Sequence, residues 1–246
     1  MSHTPPSDAI TVSTSIAADA GGNGYRFDHP RIADILNDMY IRARELGPGD
    51  PIGAFDLLTT DGGRWSSAHL KARRQPVLLV FGSRTCPVTE DAADGLRHLQ
   101  SIYGDRVRFV MIQVREAHPG RTIGQPKTFE QKLRHAADLK SHHQLPFEVA
   151  VDDIDGTFHR RLGARPNSAY VIAPTGVIVF RAQWANETEA IGDALDASVG
   201  HRMPARRAVT RTLHAIMRMV AHIGQCSMRP APAPGSTRGR WRRRWQ

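Results

Sequence analysis

The sequence contains only two cysteines, Cys86 and Cys226, in 246 residues. Two cysteines cannot build the disulfide framework of a small secreted domain, so the composition requires no oxidising compartment. The sequence also has no CxxC pair, which excludes the usual motif for dithiol exchange. Each cysteine is therefore considered as a single thiol.

Long apolar runs are absent as well. No stretch approaches the roughly 18 apolar residues that a membrane-spanning helix needs. Residues 1–24 have neither the basic start nor the apolar core of a signal peptide, and their small, polar composition predicts a disordered tail. We therefore expect a cytoplasmic protein.

Acidic residues are missing from the C-terminal end of the chain. Residues 202–246 contain eleven arginines and no acid, whereas the remaining residues carry 22 basic and 24 acidic groups. The net charge of +9 thus belongs to this end, where an apolar stripe over 205–223 predicts an amphipathic helix. The extension 201–246 is a candidate for peripheral contact with an anionic membrane surface or with nucleic acid. A solvated, disordered tail is the alternative.

Apolar periodicity predicts one α/β domain over residues 25–200. Helical spacing covers 30–46, 87–103, 128–143 and 187–198, and strand-like runs cover 76–82, 107–114 and 147–153. AFDLLTTDGGRW and SAYVIAPTGVIVFRA are each typical of a hairpin. Strands that alternate with helices imply parallel pairing through right-handed crossovers, and the closing hairpin makes the sheet mixed. The predicted fold class is α/β, with a mixed, mainly parallel central sheet flanked by helices.

Cys86 lies between the apolar strand 76–82 and the helix that begins near Pro87. Parallel α/β sheets bind their ligands at the carboxyl ends of the strands, and the backbone N–H groups of a helix start favour a thiolate. Ser83 and Thr85 add hydroxyl groups, and Arg84 adds a cation. This placement favours a reactive thiol, and a buried structural cysteine is the alternative.

Two motifs, FGSRTCP at 81–87 and REAH at 115–118, together resemble the iodothyronine deiodinase family in its bacterial, cysteine-containing branch. The resemblance spans about residues 50–198 and implies a thioredoxin-like fold. It also implies that Cys86 is the nucleophile and that Glu116 and His118 handle the proton. The supporting residues that it implies are Ser83, Arg84, Thr85, Pro87 and Pro166, the last being the proline that thioredoxin-like folds hold in cis beside the active cysteine.

The sequence departs from the family pattern at three points. Arg84 stands where family members often have a second cysteine, so no local disulfide with Cys86 can form. The further histidine of the vertebrate enzymes aligns near Gln125-Pro126 and is absent, and the vertebrate membrane anchor is missing. These departures weaken the case for deiodination of thyroid hormone and leave thiol chemistry intact.

The leading hypothesis is a thiol-dependent oxidoreductase. The Cys86 thiolate would attack a halogen or a peroxide in a small-molecule electrophile, and an external thiol such as thioredoxin or glutathione would resolve it, with no other cofactor and no metal.

One alternative is a peroxiredoxin-like peroxidase, although Leu79 and Ser83 replace the proline and threonine of that site. Another is a redox-inactive thioredoxin-like binding module. Cys226 lies 140 residues away and is a poor resolving thiol, and the oligomeric state is open, including a homodimer.

A group of histidines on the predicted helix 128–143 is a second candidate for chemistry. His135, His142 and His143 could bind a metal, but no cysteine or carboxylate completes a set at a recognisable spacing. We therefore predict a solvated helix face. The acidic run at 152–156 lacks the terminal glutamate of a calcium loop and is predicted to be a turn.

Overall fold

The computed structural model describes residues 25–28, 45–200 and 202. The predicted tail 1–24, the amphipathic segment 205–223, Cys226 and the arginine-rich end lie outside these residues. Of the predicted helix 30–46, only Glu45 and Leu46 are described, and neither is helical. No helix in the described part of the chain is both long and apolar enough to cross a membrane.

Seven strands and five helices follow one another within the described residues. The strands are β1 Asp56–Thr59, β2 Arg64–Ser66, β3 Val77–Gly82, β4 Arg108–Gln113, β5 Glu148–Val151, β6 Ala169–Ile172 and β7 Ile178–Ala182. The helices are α1 Ser67–Arg73, α2 Pro87–Tyr103, α3 Phe129–His142, α4 Thr157–Arg161 and α5 Thr188–Val199. The strands and helices predicted between residues 54 and 198 are all present, and 152–156 is a turn as predicted.

The strands form a single sheet in the order β2-β1-β5-β4-β3-β6-β7. β4 pairs in parallel with both β3 and β5, and the other neighbours pair antiparallel. The helices α2 and α3 are the crossovers that join the three parallel strands. The predicted α/β class with a mixed central sheet flanked by helices is therefore confirmed. The sheet is not mainly parallel, since only two of the six pairings between the described strands are parallel and the strands of the two hairpins pair antiparallel with their neighbours.

Apolar side chains cover both faces of this sheet. The helices α2, α3 and α5 pack on one face, where Leu78 and Val80 of β3 point. The helices α1 and α4 pack on the other face, against Val77, Leu79 and Phe81. Because every residue of β3 is buried, this strand is an unbroken apolar run.

The loop before β6 differs from the prediction. All peptide bonds of the described residues are trans, so Pro166 is not a cis proline. Hydrogen bonds hold the loop on both sides: His159 Nε2 donates to the Arg165 carbonyl at 2.6 Å, and Asn167 Nδ2 donates to Thr89 Oγ1 at 2.8 Å. In the loop that these contacts hold, the peptide bond before Pro166 has the trans form, which most X–Pro bonds adopt.

Candidate functional site

The site begins where β3 and β4 end side by side. Gly82 and Gln113 are paired in the register of the two parallel strands, and Val114 N donates to the Gly82 carbonyl at 3.1 Å. The Cys86 loop (residues 83–86) and the His118 loop (residues 114–118) therefore leave the same edge of the sheet. A Cβ on Gly82 would lie 3.0 Å from Met111 Sδ, which explains glycine at this point.

Cys86 is the N-cap residue of α2, with extended backbone angles of φ −86° and ψ 116°. Pro87 follows as the first helical residue, where its missing N–H costs no hydrogen bond. The Cys86 side chain is only 4% exposed and lies in a small apolar cluster with Val88, Ala117 and Trp184. The helix start favours a thiolate, whereas the apolar neighbours oppose a charge. The strand-end position is as expected, and the burial is greater than the sequence indicates.

The two motif loops are joined by the hydroxyl groups of the first motif. Ser83 Oγ accepts a hydrogen bond from Ala117 N at 3.1 Å, and Thr85 Oγ1 accepts one from His118 N at 3.1 Å. The Thr85 hydroxyl in turn donates to Glu116 Oε2 at 2.8 Å. These contacts hold the backbone of the second motif against the loop that ends at Cys86. They also give Ser83 and Thr85 a structural function.

The Glu116 carboxylate is fully buried and receives four hydrogen bonds. Thr85 donates its N–H and its hydroxyl to Oε2. Gln113 Nε2 and His135 Nδ1 each lie 2.9 Å from Oε1. The imidazole that binds Glu116 is thus that of His135 on α3, and Glu116 connects both loops to this helix. Its role with His118 in proton handling stays a prediction.

His118 is partly buried beside the Cys86 loop. Burial lowers the pKa of its imidazole below the ordinary value of 6.5, and the positive charge of Arg115 lowers this pKa further. The side chain is therefore neutral at neutral pH and is able to accept a proton. This is the protonation state that a general base requires.

Arg84 is turned toward α3. Its Nε donates to Asp138 Oδ2 at 2.9 Å, and its Nη2 donates to His142 Nδ1 at 3.0 Å. The guanidinium group is thus engaged with two side chains of α3. It attaches the Cys86 loop to this helix, and its proposed effect on the thiolate stays a prediction.

Two buried side-chain amides, which no sequence pattern singled out as functional, support the loops. Gln125 accepts from the Glu116 N–H at 3.0 Å and donates to the Glu116 carbonyl at 2.7 Å, so it holds the backbone of the His118 loop. Asn167 donates to Thr89 Oγ1, the same atom that Ser83 N approaches at 3.4 Å. Gln125 occupies the place where the family pattern has a further histidine, and this is the one signal that points to it.

Trp184 is a further residue that no sequence pattern identified. It follows β7, is 5% exposed and belongs to the apolar cluster of Cys86. Its indole Nε1 is buried and has no hydrogen-bond partner among the residues that the structure describes. Buried polar atoms are normally paired, so this N–H is an exception among the described residues.

One group of side chains in the described residues has ligand atoms close enough to hold a metal. It consists of Glu90, His142 and His143, with one atom from each within 4.8 Å of the others. The predicted solvated face is wrong for His143, which is only 3% exposed. His135 is apart from this group, since it binds Glu116.

Comparisons with solved structures identify the fold. An uncharacterised conserved protein from Geobacillus kaustophilus superposes with a TM-score of 0.52 at 18% identity, over 68% of this chain and 89% of that one. A candidate protein disulfide isomerase from Bacteroides thetaiotaomicron gives 0.50 at 15% identity, over 63% and 94% of the two chains. A candidate thiol:disulfide interchange protein DsbE from Chlorobium tepidum gives 0.50 at 18% identity, over 63% and 100%.

The chain thus has a thioredoxin-like fold, as the resemblance implied. At these identities the likeness concerns the fold alone. No protein-family model matches the sequence, and no curated protein matches it.

Proposed function

We propose that this protein is a thiol-dependent oxidoreductase in which Cys86 is the nucleophile and His118 accepts its proton. The observation that carries the proposal is the junction of the two loops, where the Ser83 and Thr85 hydroxyl oxygens accept hydrogen bonds from the backbone of the His118 segment and hold it beside the start of α2. The thioredoxin-like fold supports it, because two of the similar structures are described as thiol–disulfide proteins.

The proposed reaction begins with proton transfer. Neutral His118 takes the thiol proton, and the Cys86 thiolate attacks an electrophilic atom. With a hydroperoxide, the sulfur attacks the terminal oxygen, the O–O bond breaks, and the alkoxide leaves as an alcohol after it takes the proton. The sulfur is oxidised by two electrons to a sulfenic acid. One external thiol then forms a mixed disulfide and releases water, and a second restores the Cys86 thiol.

The finer proposal is a deiodinase-like reaction on an aromatic halide. The thiolate then attacks the halogen, the carbon–halogen bond breaks, and the ring carbon takes the proton. The sulfur forms a sulfenyl halide, one external thiol displaces the halide ion to form a mixed disulfide, and a second external thiol restores the Cys86 thiol. The motif pair FGSRTCP and REAH supports this version, whereas Arg84 and Gln125 at two family positions favour a broader thiol chemistry.

Trp184 packs in the same apolar cluster as Cys86 and carries a candidate hydrogen-bond donor. Its indole N–H is buried without a partner among the described residues and belongs to the apolar cluster of Cys86. We assign it the role of a donor to the oxygen or halide that becomes negative during the reaction. Replacing it in Trp184→Phe keeps the ring and removes the donor, so the variant should lose turnover while it retains alkylation of Cys86.

The decisive experiment compares Cys86→Ser with the wild type in thiol-dependent turnover of hydroperoxides and of halogenated phenols. We expect the variant to lose turnover completely with whichever substrate the wild type uses. Cys226→Ser is the matched control and should retain activity, because an external thiol resolves the reaction. Wild-type turnover by Cys86→Ser would refute the proposal, and the preferred substrate decides between halide and peroxide.

A redox-inactive binding module is the second candidate. The low exposure of Cys86 and the four hydrogen bonds of Glu116 favour it, since both give the motif residues a purely structural purpose. It predicts slow alkylation of native Cys86 with the pH dependence of an ordinary thiol near pKa 8.5. Fast alkylation well below that pH excludes it.

The basic end of the chain is proposed to bind an anionic membrane surface or nucleic acid in either case. Eleven arginines without an acid support this proposal. Deletion of 202–246 should remove salt-sensitive binding to anionic vesicles or DNA. Binding that survives the deletion would contradict it.

A further inference from the structure

The first turn of α2 and the end of α3 bring two imidazoles and one carboxylate together. Glu90 Oε2 lies 3.2 Å from His142 Nε2 and 3.8 Å from His143 Nδ1. Zinc binds such ligands at about 2.0–2.1 Å in tetrahedral geometry, which sets neighbouring ligand atoms about 3.3 Å apart. Two histidines and a glutamate with a fourth position for water are a known zinc ligand set. The two distances to Glu90 are thus close to this spacing, and the ligand atoms of all three side chains lie within 4.8 Å of one another.

His143 supplies a second, independent observation. Its side chain is 3% exposed, and its Nε2 is buried without a hydrogen-bond partner among the described residues. Its Nδ1 is 3.8 Å from Glu90, which exceeds an ordinary hydrogen bond. This buried imidazole has lost its hydrogen bonds to water, and few hydrogen bonds from the described residues replace them. Zinc at Nδ1 would give this ring a strong bond on the side that faces Glu90, while Nε2 would carry the proton and stay unpaired among the described residues.

We propose that Glu90, His142 and His143 form a zinc site between α2 and α3. The ligand atoms are Glu90 Oε2, His142 Nε2 and His143 Nδ1, and water completes the tetrahedron. The site lies one helical turn from Cys86, because Glu90 N donates to the Cys86 carbonyl at 3.2 Å. The thiol is not a ligand, so the proposal does not depend on the oxidoreductase activity.

Two arginines lie close to these ligands, and one must move when zinc binds. Arg84 Nη2 donates to His142 Nδ1 at 3.0 Å, and Arg97 Nη1 donates to the His143 carbonyl at 2.6 Å. A histidine that binds zinc through Nε2 carries its proton on Nδ1, so His142 can no longer accept from Arg84. The carboxylate of Asp138, one turn before His142 on α3, can then accept a hydrogen bond from this Nδ1–H group. Zinc and the Arg84–His142 contact therefore exclude each other.

Titration calorimetry of Zn²⁺ into the full-length, reduced protein tests the site. We expect one site per chain, with affinity at least tenfold weaker in Glu90→Gln and in His142→Ala. His98→Ala is the matched control, since this exposed histidine lies on α2 outside the group, and it should bind like the wild type. Cys86→Ser should also bind normally. Wild-type affinity in both ligand variants, or only weak binding at several sites, overturns the proposal.

Two further measurements separate this site from binding elsewhere. Co²⁺ should give the visible absorption of a four-coordinate site without a near-ultraviolet thiolate band. Arg84→Gln should bind Zn²⁺ several-fold more tightly, because it removes the competing guanidinium group. A thiolate band that disappears in Cys86→Ser, or weaker binding by Arg84→Gln, would contradict the assigned ligands.

Discussion

The Glu116 carboxylate receives hydrogen bonds on both oxygens although none of its surface reaches solvent. A buried carboxylate is costly unless donors replace its water, and here Thr85, Gln113 and His135 do so. The glutamate of the second motif therefore holds the site together. This function is compatible with catalysis by its neighbours and does not require Glu116 to exchange protons.

Glu116→Gln should lower the free energy of unfolding by about 1–3 kcal/mol, because an amide has one acceptor oxygen where the carboxylate has two. One pair of buried donors would then face an NH₂ group. Urea unfolding followed by fluorescence measures the loss. Asp105→Asn, at an exposed position, should change the value by less than about 0.5 kcal/mol. An unchanged midpoint for Glu116→Gln would show that the network is not important for stability.

The lowered pKa of His118 predicts how the reactivity of Cys86 depends on pH. Burial and Arg115 lower its pKa below 6.5, so the neutral form persists into weakly acidic solution. If it accepts the thiol proton, the acidic limb of the rate profile should lie below pH 6.5. His118→Asn should slow turnover by about 10²–10⁴-fold. His98→Asn is the control, and an identical profile in both variants would exclude His118 as the base.

At the scale of elements, the first turn of α2 connects three segments of the fold. Thr89 Oγ1 lies 2.8 Å from Asn167 Nδ2 and 3.4 Å from Ser83 N, and all three residues are buried. The helix start is thereby attached to the Cys86 loop and to the loop before β6. Cys86, three residues earlier, is held in place by these contacts and not by a side-chain cap of its own.

Thr89→Val should destabilise the protein by about 1–3 kcal/mol, since the variant keeps the shape of the side chain and removes the acceptor of two buried donors. Asn167 Nδ2 would keep only its longer contact of 3.3 Å with the Phe81 carbonyl. Native-state alkylation of Cys86 should accelerate as well, because the helix start becomes looser. Ser101→Ala on the exposed side of α2 is the matched control for urea unfolding. Equal stability of the two variants would contradict the proposed connection.

At the scale of the whole molecule, His159 joins the described N-terminal segment to α4 and to the loop before β6. Its Nε2 donates to the Arg165 carbonyl, so Nδ1 is the acceptor for the Tyr25 hydroxyl at 2.9 Å. The ring is fully buried, and burial lowers the pKa of His159 well below 6.5. The folded protein therefore requires the neutral imidazole.

Stability should decrease as the pH falls below 6.5, because the unfolded chain binds a proton at residue 159 that the folded chain does not. Above pH 6.5 both states are neutral at this position and the effect vanishes. His159→Gln should be less stable overall but should show a shallower decrease in Tm between pH 6.5 and 5. His98→Gln should retain the wild-type slope, and a wild-type slope in His159→Gln would contradict this assignment.

Much of the fold was predictable because local patterns encode it. The unbroken apolar run of β3, Pro87 after Cys86, and Thr128 as a cap that accepts from Gln131 N each specify an element from its own residues. The cis form expected of Pro166 was wrong, since contacts of its neighbours with α2 and α4 decide that loop. The sequence left the burial of Cys86 as an alternative to an accessible thiol, and the tertiary structure decides for burial, because Trp184 from a distant part of the chain packs in the same cluster.

By itself, the sequence determined the order of strands and helices and the position of Cys86 at a strand end, because periodicity and capping act over a few residues. Only the tertiary structure decided which side chains meet: His135 with Glu116, and Glu90 with His142 and His143. These partners lie on separate elements. Their distances depend on the strand register and on how α2 and α3 pack across the sheet, and no local pattern contains that information.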